Sequence, residues 1–217
     1  MAGRKNFVAG EILTSADVNS FLMDQSVMVF DDSAARGSAI PSPTEGMVTY
    51  RKDTNLVEAF DGSAYKPLGG VVQVKKVTDT TNRITTSTSP VDADIELSFT
   101  PKFADSLLIV EWTFTGDARR AAATITSRFG FYRLVEVGGS VLEGAEQVQI
   151  GRTLVSASAA AAPITSTLTA RGFVVAGSTS ARTYRGEFWA LTNNQNILIN
   201  SNLTGVLTVT EIIGGVL

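Results

Sequence analysis

Residues Leu107 to Thr115 alternate with a period of two: Leu108, Val110, Trp112 and Phe114 fall on one side, and Leu107, Ile109, Glu111, Thr113 and Thr115 on the other. The first side is wholly apolar, so the stretch is predicted to be a strand with a buried face. The preceding strand ends at Thr100-Pro101, because proline cannot donate to a ladder, and Asp105-Ser106 supplies turn chemistry before the next. Leu97 to Thr115 is therefore expected to be the centre of an all-β domain.

From Val71 onward the same signal recurs. Strands are predicted at Val71–Val77, Ile95–Phe99, Leu107–Thr115, Phe129–Val137, Val148–Ser156, Thr167–Val175, Tyr184–Leu191, Ile197–Asn200 and Val206–Ile213. Strands at this spacing, separated by turn residues and without a fixed-period repeat, fit an antiparallel β-sandwich of jelly-roll type. The breaks are the polar run Thr78 to Pro90, the loop Gly116 to Thr126, and the Ala/Ser stretch Ser156 to Pro163. Gly69-Gly70 is the predicted hinge, giving an N-terminal module over 1–70 and a head over 71–217.

The module reads differently. Thr14 and Asp17 form a capping pair, and Val18, Phe21 and Leu22 stand at helical spacing, so the only real helix is expected between about Ser15 and Gln25. Val27 to Phe30 is a short apolar strand, and Ala34 to Ile40 has the make-up of a helical turn before Pro41-Ser42-Pro43. Gly46–Tyr50 and Leu56–Phe60 are predicted to pair as a hairpin around Lys52 to Asn55, with a third short strand at Ala64–Leu68. A helix this short and three short strands are marginal alone in water. The apolar side chains of the module, Phe21 and Leu22 among them, are expected to need burial against other chains or a larger assembly.

The 217 residues contain no Cys and no His. That removes disulfide frameworks, thiolate zinc sites, Ser-His-Asp triads and HExxH metal centres. The net charge of −3 lies wholly in residues 1–70, with 6 basic against 9 acidic residues, while residues 71–217 balance at 12 against 12. No basic footprint for nucleic acid is present. No apolar run approaches the roughly 20 residues that span a bilayer, so the expectation is a soluble chain without membrane insertion.

Few residues suggest chemistry. Asp92, Asp94 and Glu96 alternate on one strand face, which could hold calcium but is equally the pattern of a solvated face opposite Ile95, Leu97 and Phe99. The second reading is preferred, and no metal or other cofactor is expected. Asp31-Asp32 is read as a turn and cap. Arg119, Arg120 and Arg128 form a basic stretch that could touch an acidic glycan or a neighbouring subunit, with a solvated loop as the plainer reading. Trp112 belongs to the apolar side of its strand and is assigned to the core. Trp189 shares its side with Arg185, Glu187 and Leu191 and is assigned to a subunit interface in preference to a sugar site. Asn202-Leu203-Thr204 matches a glycosylation sequon and is set aside for want of a secretory signal.

Two segments resemble structural proteins of tailed bacteriophages. In the N-terminal part the likeness rests on Gly10-Glu11, Leu13-Thr14, Ala16-Asp17-Val18-Asn19, Phe30-Asp31, Ala35-Arg36, Pro43-Thr44-Glu45-Gly46-Met47 and Asp61-Gly62-Ser63. It is similar to the opening of minor tail and tail-fibre-like proteins. In the head it rests on Phe99-Thr100-Pro101, Ser106 to Val110 and Leu207 to Ile212, which resemble appendage heads with a tumour-necrosis-factor-like jelly roll. Residues 116–165 match nothing in those heads.

The resemblance implies a virion protein assembled in the host cytoplasm. It implies a non-enzymatic, homotrimeric tail fibre or minor tail appendage, joined to other virion proteins through residues 1–70 and involved in attachment to a host glycan or receptor. A head fibre, collar or capsid-decoration protein is the alternative. A glycan-degrading tailspike is a third reading, disfavoured because such enzymes usually need a long repetitive β-helix. Host contact is expected in the loops Gly116 to Thr126 and Gly138 to Gln147, since a sandwich holds loops in place while tolerating change in them.

Overall fold

The computed structural model describes residues 8–18, 26–120, 127–153, 164–200 and 204–213. The chain divides into two compact units, Met1–Gly70 and Val71–Leu217.

In the first unit, the short helix α1 (Ser15–Val18) carries the expected cap. The Thr14 hydroxyl accepts from the Asp17 amide at 3.1 Å, and the Asp17 carboxylate accepts from the Thr14 amide at 3.1 Å. Phe21 and Leu22 lie outside the described residues. The helix expected as the only substantial one is joined by another, α2 (Ser33–Ala39). Asp32 caps α2 by accepting the Ala35 amide at 2.8 Å, which is why the stretch forms a helix of seven residues and not a single turn.

The strands β1 (Met28–Phe30), β2 (Val48–Arg51), β3 (Leu56–Phe60) and β4 (Tyr65–Pro67) form one sheet in that order. The hairpin β2–β3 is antiparallel as predicted, but β1 joins β2 in parallel, with α2 in the crossover between them. All four strands expected in this unit are present, and the one thing not foreseen is that the first joins the sheet in parallel.

The second unit holds β5 (Val71–Asp79), β6 (Arg83–Thr85), β7 (Val91–Phe99), β8 (Leu107–Arg120), β9 (Ser127–Glu136) and β10 (Val148–Thr153). It continues with β11 (Ile164–Val175), β12 (Arg182–Ala190), β13 (Gln195–Ile199) and β14 (Gly205–Ile212). β6 lies inside the run Thr78 to Pro90 that was expected to be a break. One sheet runs β10-β9-β12-β7; the other runs β5-β14-β8-β13-β6, with β11 on the far side of β8.

The connectivity follows from the pairing. β5 pairs β14, β7 pairs β12, β8 pairs β11 and β9 pairs β10, all antiparallel. This is one long hairpin folded over into two sheets, the defining order of a jelly roll. Further pairs, β14 with β8 and β12 with β9, complete each sheet.

The core lies between the sheets. On β7 the alternation is strict: Ala93, Ile95, Leu97 and Phe99 are buried while Asp94, Glu96 and Ser98 are exposed. Trp112 stacks on Phe114 with ring centroids 3.9 Å apart, and Tyr132 tilts against Phe114 at 4.6 Å. Glycines make room for these rings. A Cβ at Gly186 would stand 2.6 Å from the Trp112 ring, and one at Gly116 or Gly130 would stand 2.8 Å from the Tyr132 hydroxyl.

Candidate functional site

The three head segments that carry the resemblance meet around one carboxylate. Glu211 faces inward from β14 and is fully buried. It accepts the backbone N–H groups of Lys102 at 2.9 Å and Phe103 at 3.0 Å, the Ser106 hydroxyl at 2.8 Å and the Gln73 side-chain amide at 2.6 Å. The Phe103 carbonyl lies 2.8 Å from the same hydroxyl and is the alternative acceptor for its one proton. A charged acceptor thus answers the free amides of the turn between β7 and β8, where Pro101 and the tight geometry leave no strand partner. The role of Glu211 is not visible in its own segment, because its donors lie more than a hundred residues away.

The basic stretch does not form a loop cluster. Arg119 and Arg120 belong to β8, which runs past the predicted end at Thr115. Arg119 points to the outside, 44% exposed, and its Nη2 lies 2.6 Å from the buried Asp117 carboxylate. Arg128 lies on β9 with the parity of Gly130, Tyr132 and Leu134, so it points into the sandwich and is only 1% exposed. The expectation that Arg128 lines a surface loop is therefore wrong: strand parity, not loop position, sets its direction. Residues 121–126, the remainder of that loop, lie outside the described residues. The second loop is partly core, since Leu142 and Ala145 are buried while Gly138, Gly139 and Ser140 are exposed.

The carboxylate row answers arginines. Arg185 on β12 bonds Asp92 at 2.9 Å and Glu187 at 3.0 Å, with Glu96 at 3.8 Å, and Arg133 on β9 bonds Glu187 at 2.8 Å. Asp94 adopts φ 50° and donates its amide to Asp92 at 2.7 Å, while its carboxylate faces Arg83 at 3.0 Å. Arg83 also pairs with Asp79. Burial pushes the Asp79 carboxyl up, yet its bonds to Arg83 and Thr81 outweigh burial and leave it below the usual value. Asp79, Asp92, Asp94 and Glu96 line a cleft of about 460 Å³ with Val77, Thr78 and Ile95, and among the described residues no set of three acidic side chains is arranged to hold a metal ion.

Trp112 and Trp189 separate as their parities imply. Trp112 is core, whereas Trp189 is half-buried on the outer face of the four-stranded sheet. There it stacks on Phe131 at 5.5 Å, with the Arg133 guanidinium 5.6 Å from its ring. On the outer face of the six-stranded sheet, Val71, Val74, Phe173 and Val175 are left exposed.

In the first unit, Glu58 is buried between two arginines, Arg36 from α2 and Arg51 from β2. The Arg36 guanidinium also lies 3.8 Å above the Tyr65 ring, so one side chain joins the helix to β3 and β4. The opposite side of this sheet places Val29, Tyr50 and Val57 in one cross-strand row, with Val29 and Val57 exposed. The Ala/Ser stretch 156–163 and residues 202–203 of the sequon lie outside the described residues.

No family model matches the sequence, and no curated protein matches it. Among solved structures the chain is similar to the infectious bursal disease virus VP2 subviral particle, at 9% identity over 70% of this chain and 42% of that chain, with a TM-score of 0.30. It is also similar to a structure of infectious bursal disease virus Gx strain, at 10% identity over 84% of this chain and 56% of that chain, with a TM-score of 0.20. The chain spans less than two thirds of either.

Proposed function

We propose that this chain is a non-enzymatic structural protein of a tailed-phage particle: residues 1–70 attach it, and residues 71–217 form a homotrimeric jelly-roll head displayed from a tail fibre or minor tail appendage. The observation that carries the reading is the convergence at Glu211, on the closing strand: Ser106 donates to it, and the Gln73 side-chain amide that donates to it also donates to the Thr100 carbonyl, so the three marks of the head resemblance meet in one hydrogen-bonded unit. The strand order supports it, because a jelly roll is the head fold that the resemblance implies. In the N-terminal unit the matched residues Asp31, Ala35-Arg36 and Asp61-Gly62-Ser63 likewise occupy structural posts: an ion pair with Lys52, the helix-to-sheet link and a tight turn.

A particle position without host contact is the second reading, and a specific observation favours it over the glycan-binding one. Arg119 already pairs with Asp117 and Arg128 faces inward, which removes two of the three cations proposed to meet an acidic glycan. Electron microscopy of particles labelled at the head tests both. Label at the tail or its fibres is expected; label on the capsid or collar would transfer the protein to the second reading, and particles without the protein would end both.

A further inference from the structure

The loop between β9 and β10 is pinned to both sheets. On the β9 side, Leu142 donates its amide to the Leu134 carbonyl at 3.0 Å and Leu134 donates to the Ala145 carbonyl at 3.2 Å. On the other side, Phe173 of β11 donates its amide to the Glu143 carbonyl at 2.9 Å. Between this loop and β11 lies a cleft of about 460 Å³, whose walls include Glu136, Ser140, Glu143, Phe173 and Arg182. That volume falls in the range of roughly 300–1,000 Å³ typical of small-molecule sites.

The charged groups of the cleft divide into those already engaged and one that is not. Arg182 gives Nε and Nη2 to the two Glu136 oxygens, each at 2.9 Å, and Nη1 to the Ala176 carbonyl at 2.7 Å and the Val175 carbonyl at 3.3 Å. Its guanidinium is therefore fully occupied, and Glu136 is neutralised. The exposed Glu143 carboxylate makes no hydrogen bond or ion pair among the described residues. Glu143 and Phe173 oppose each other as an antiparallel bridge pair, which puts their side chains on one side. The Phe173 ring rests against Gly144, where φ is +81° and a Cβ would stand 3.4 Å from a ring carbon, and the residue remains 37% exposed. An unpaired carboxylate thus stands beside an aromatic ring that the backbone holds in place.

We infer that this cleft binds a primary alkylammonium group. A neutral apolar ligand would bury the Glu143 charge without a partner, which is costly. An anion would meet that charge and find the Arg182 guanidinium already taken. A metal ion wants several converging oxygen ligands, and among the described residues no three acidic side chains are placed to supply them. An alkylammonium satisfies both walls: its charge lies over the Phe173 ring and against Glu143, and its alkyl stem lies on the apolar lining. Its N–H donors need acceptors, which Glu143, the remaining lone pairs of Glu136 and the Ser140 hydroxyl provide. That requirement selects a primary amine over a quaternary one, which has no N–H and relies on rings alone. A free amine and a lysine side chain of another protein both carry this group. The inference goes beyond the particle position proposed above and stands on the cleft alone.

Titration calorimetry on the full-length protein with n-pentylamine tests this. Saturable binding is expected, weakening as salt is raised, with choline weaker and pentanoate silent. Glu143→Gln should weaken pentylamine binding about fivefold, and Phe173→Leu, which keeps apolar bulk but removes the ring, about threefold. Both side chains are exposed, and an unchanged β spectrum checks that each variant folds; the isosteric Glu143→Gln carries the test by itself if Phe173→Leu does not. Acetyl-lysine amide, acetylated on its α-nitrogen only, that binds as tightly as pentylamine supports the inference with a lysine side chain as the natural source; weaker binding supports it with a free amine. No saturable binding of either amine, pentanoate or choline binding as tightly as pentylamine, or an affinity unchanged by Glu143→Gln would overturn the inference. The proposed particle position would stand in each of those cases, because it does not depend on the cleft.

Discussion

Glu211 and Asp61 do similar work at opposite degrees of burial, and each yields a measurable consequence. Replacing Glu211 by Ala strips the acceptor from the Lys102 and Phe103 amides and the Ser106 hydroxyl, which should cost about 3 kcal/mol in urea unfolding of the head. Glu211→Gln keeps one oxygen and should cost about half as much; equal losses would show that the turn does not depend on the carboxylate. Asp61 is exposed and accepts the Ala64 and Ser63 amides and the Ser63 hydroxyl, each at 2.8 Å. The Ala64 and Ser63 bonds hold its carboxyl at about 2 against an ordinary 3.8. Its folded value lies below its unfolded one, so the turn's contribution is present above 3.8 and is lost as pH falls through about 2. A carboxyl titration by NMR should place the Asp61 midpoint near 2, and a midpoint near the ordinary value would mean the turn is not formed. A turn such as that at Asp61-Gly62 can be read from sequence, because its donors are two and three residues away. The Glu211 clamp and the inward Arg128 were not, because both depend on what a distant strand places opposite them.

Elements were legible where burial alternates and obscure where a neighbour supplies the reason for a residue. β7 shows its buried side directly in the sequence. The second half of β8, Gly116 to Arg120, lacks that signature: Gly116 is small because Tyr132 occupies the space of its Cβ, and Asp117 is a buried carboxylate on the opposite side of the strand. β6 is three residues long and is a strand only because Ile197 to Ile199 lie alongside it. The parallel pairing of β1 with β2 was hidden for another reason, since it depends on α2 filling the crossover. Arg36 is the side chain that joins α2 to the sheet, through Glu58 and Tyr65. Arg36→Ala leaves Glu58 buried with Arg51 as its remaining guanidinium partner, a loss expected to reach about 3 kcal/mol for a broken buried pair. Limited proteolysis should then open sites within residues 26–70 while the head fragments stay intact. Equal protection of both units would show that α2 is held by something other than Arg36.

The two units differ in what fills their centres, and the whole chain inherits that difference. Every member of the main apolar core lies in the second unit, from Ala93 to Val209, and all ten strands after Gly70 pair among themselves. In the first unit the residues buried among those described are Thr49 and Glu58, both polar, and the centre is an ion network instead of an apolar core. Buried ion pairs are weak sources of net stability, since desolvation offsets most of their attraction. A fragment beginning at Gly70 loses no core residue, so its stability to urea should match that of the head in the intact chain within about 0.5 kcal/mol. Residues 1–70 alone should instead give a largely unfolded circular dichroism spectrum, because four short strands and a seven-residue helix lack apolar burial to offset the entropy of ordering them. The exposed row of Val29, Tyr50 and Val57 supplies such burial once a partner covers it. If residues 1–70 in isolation melt cooperatively as a monomer, the module is self-sufficient, and the idea that it completes its fold against an assembly is wrong.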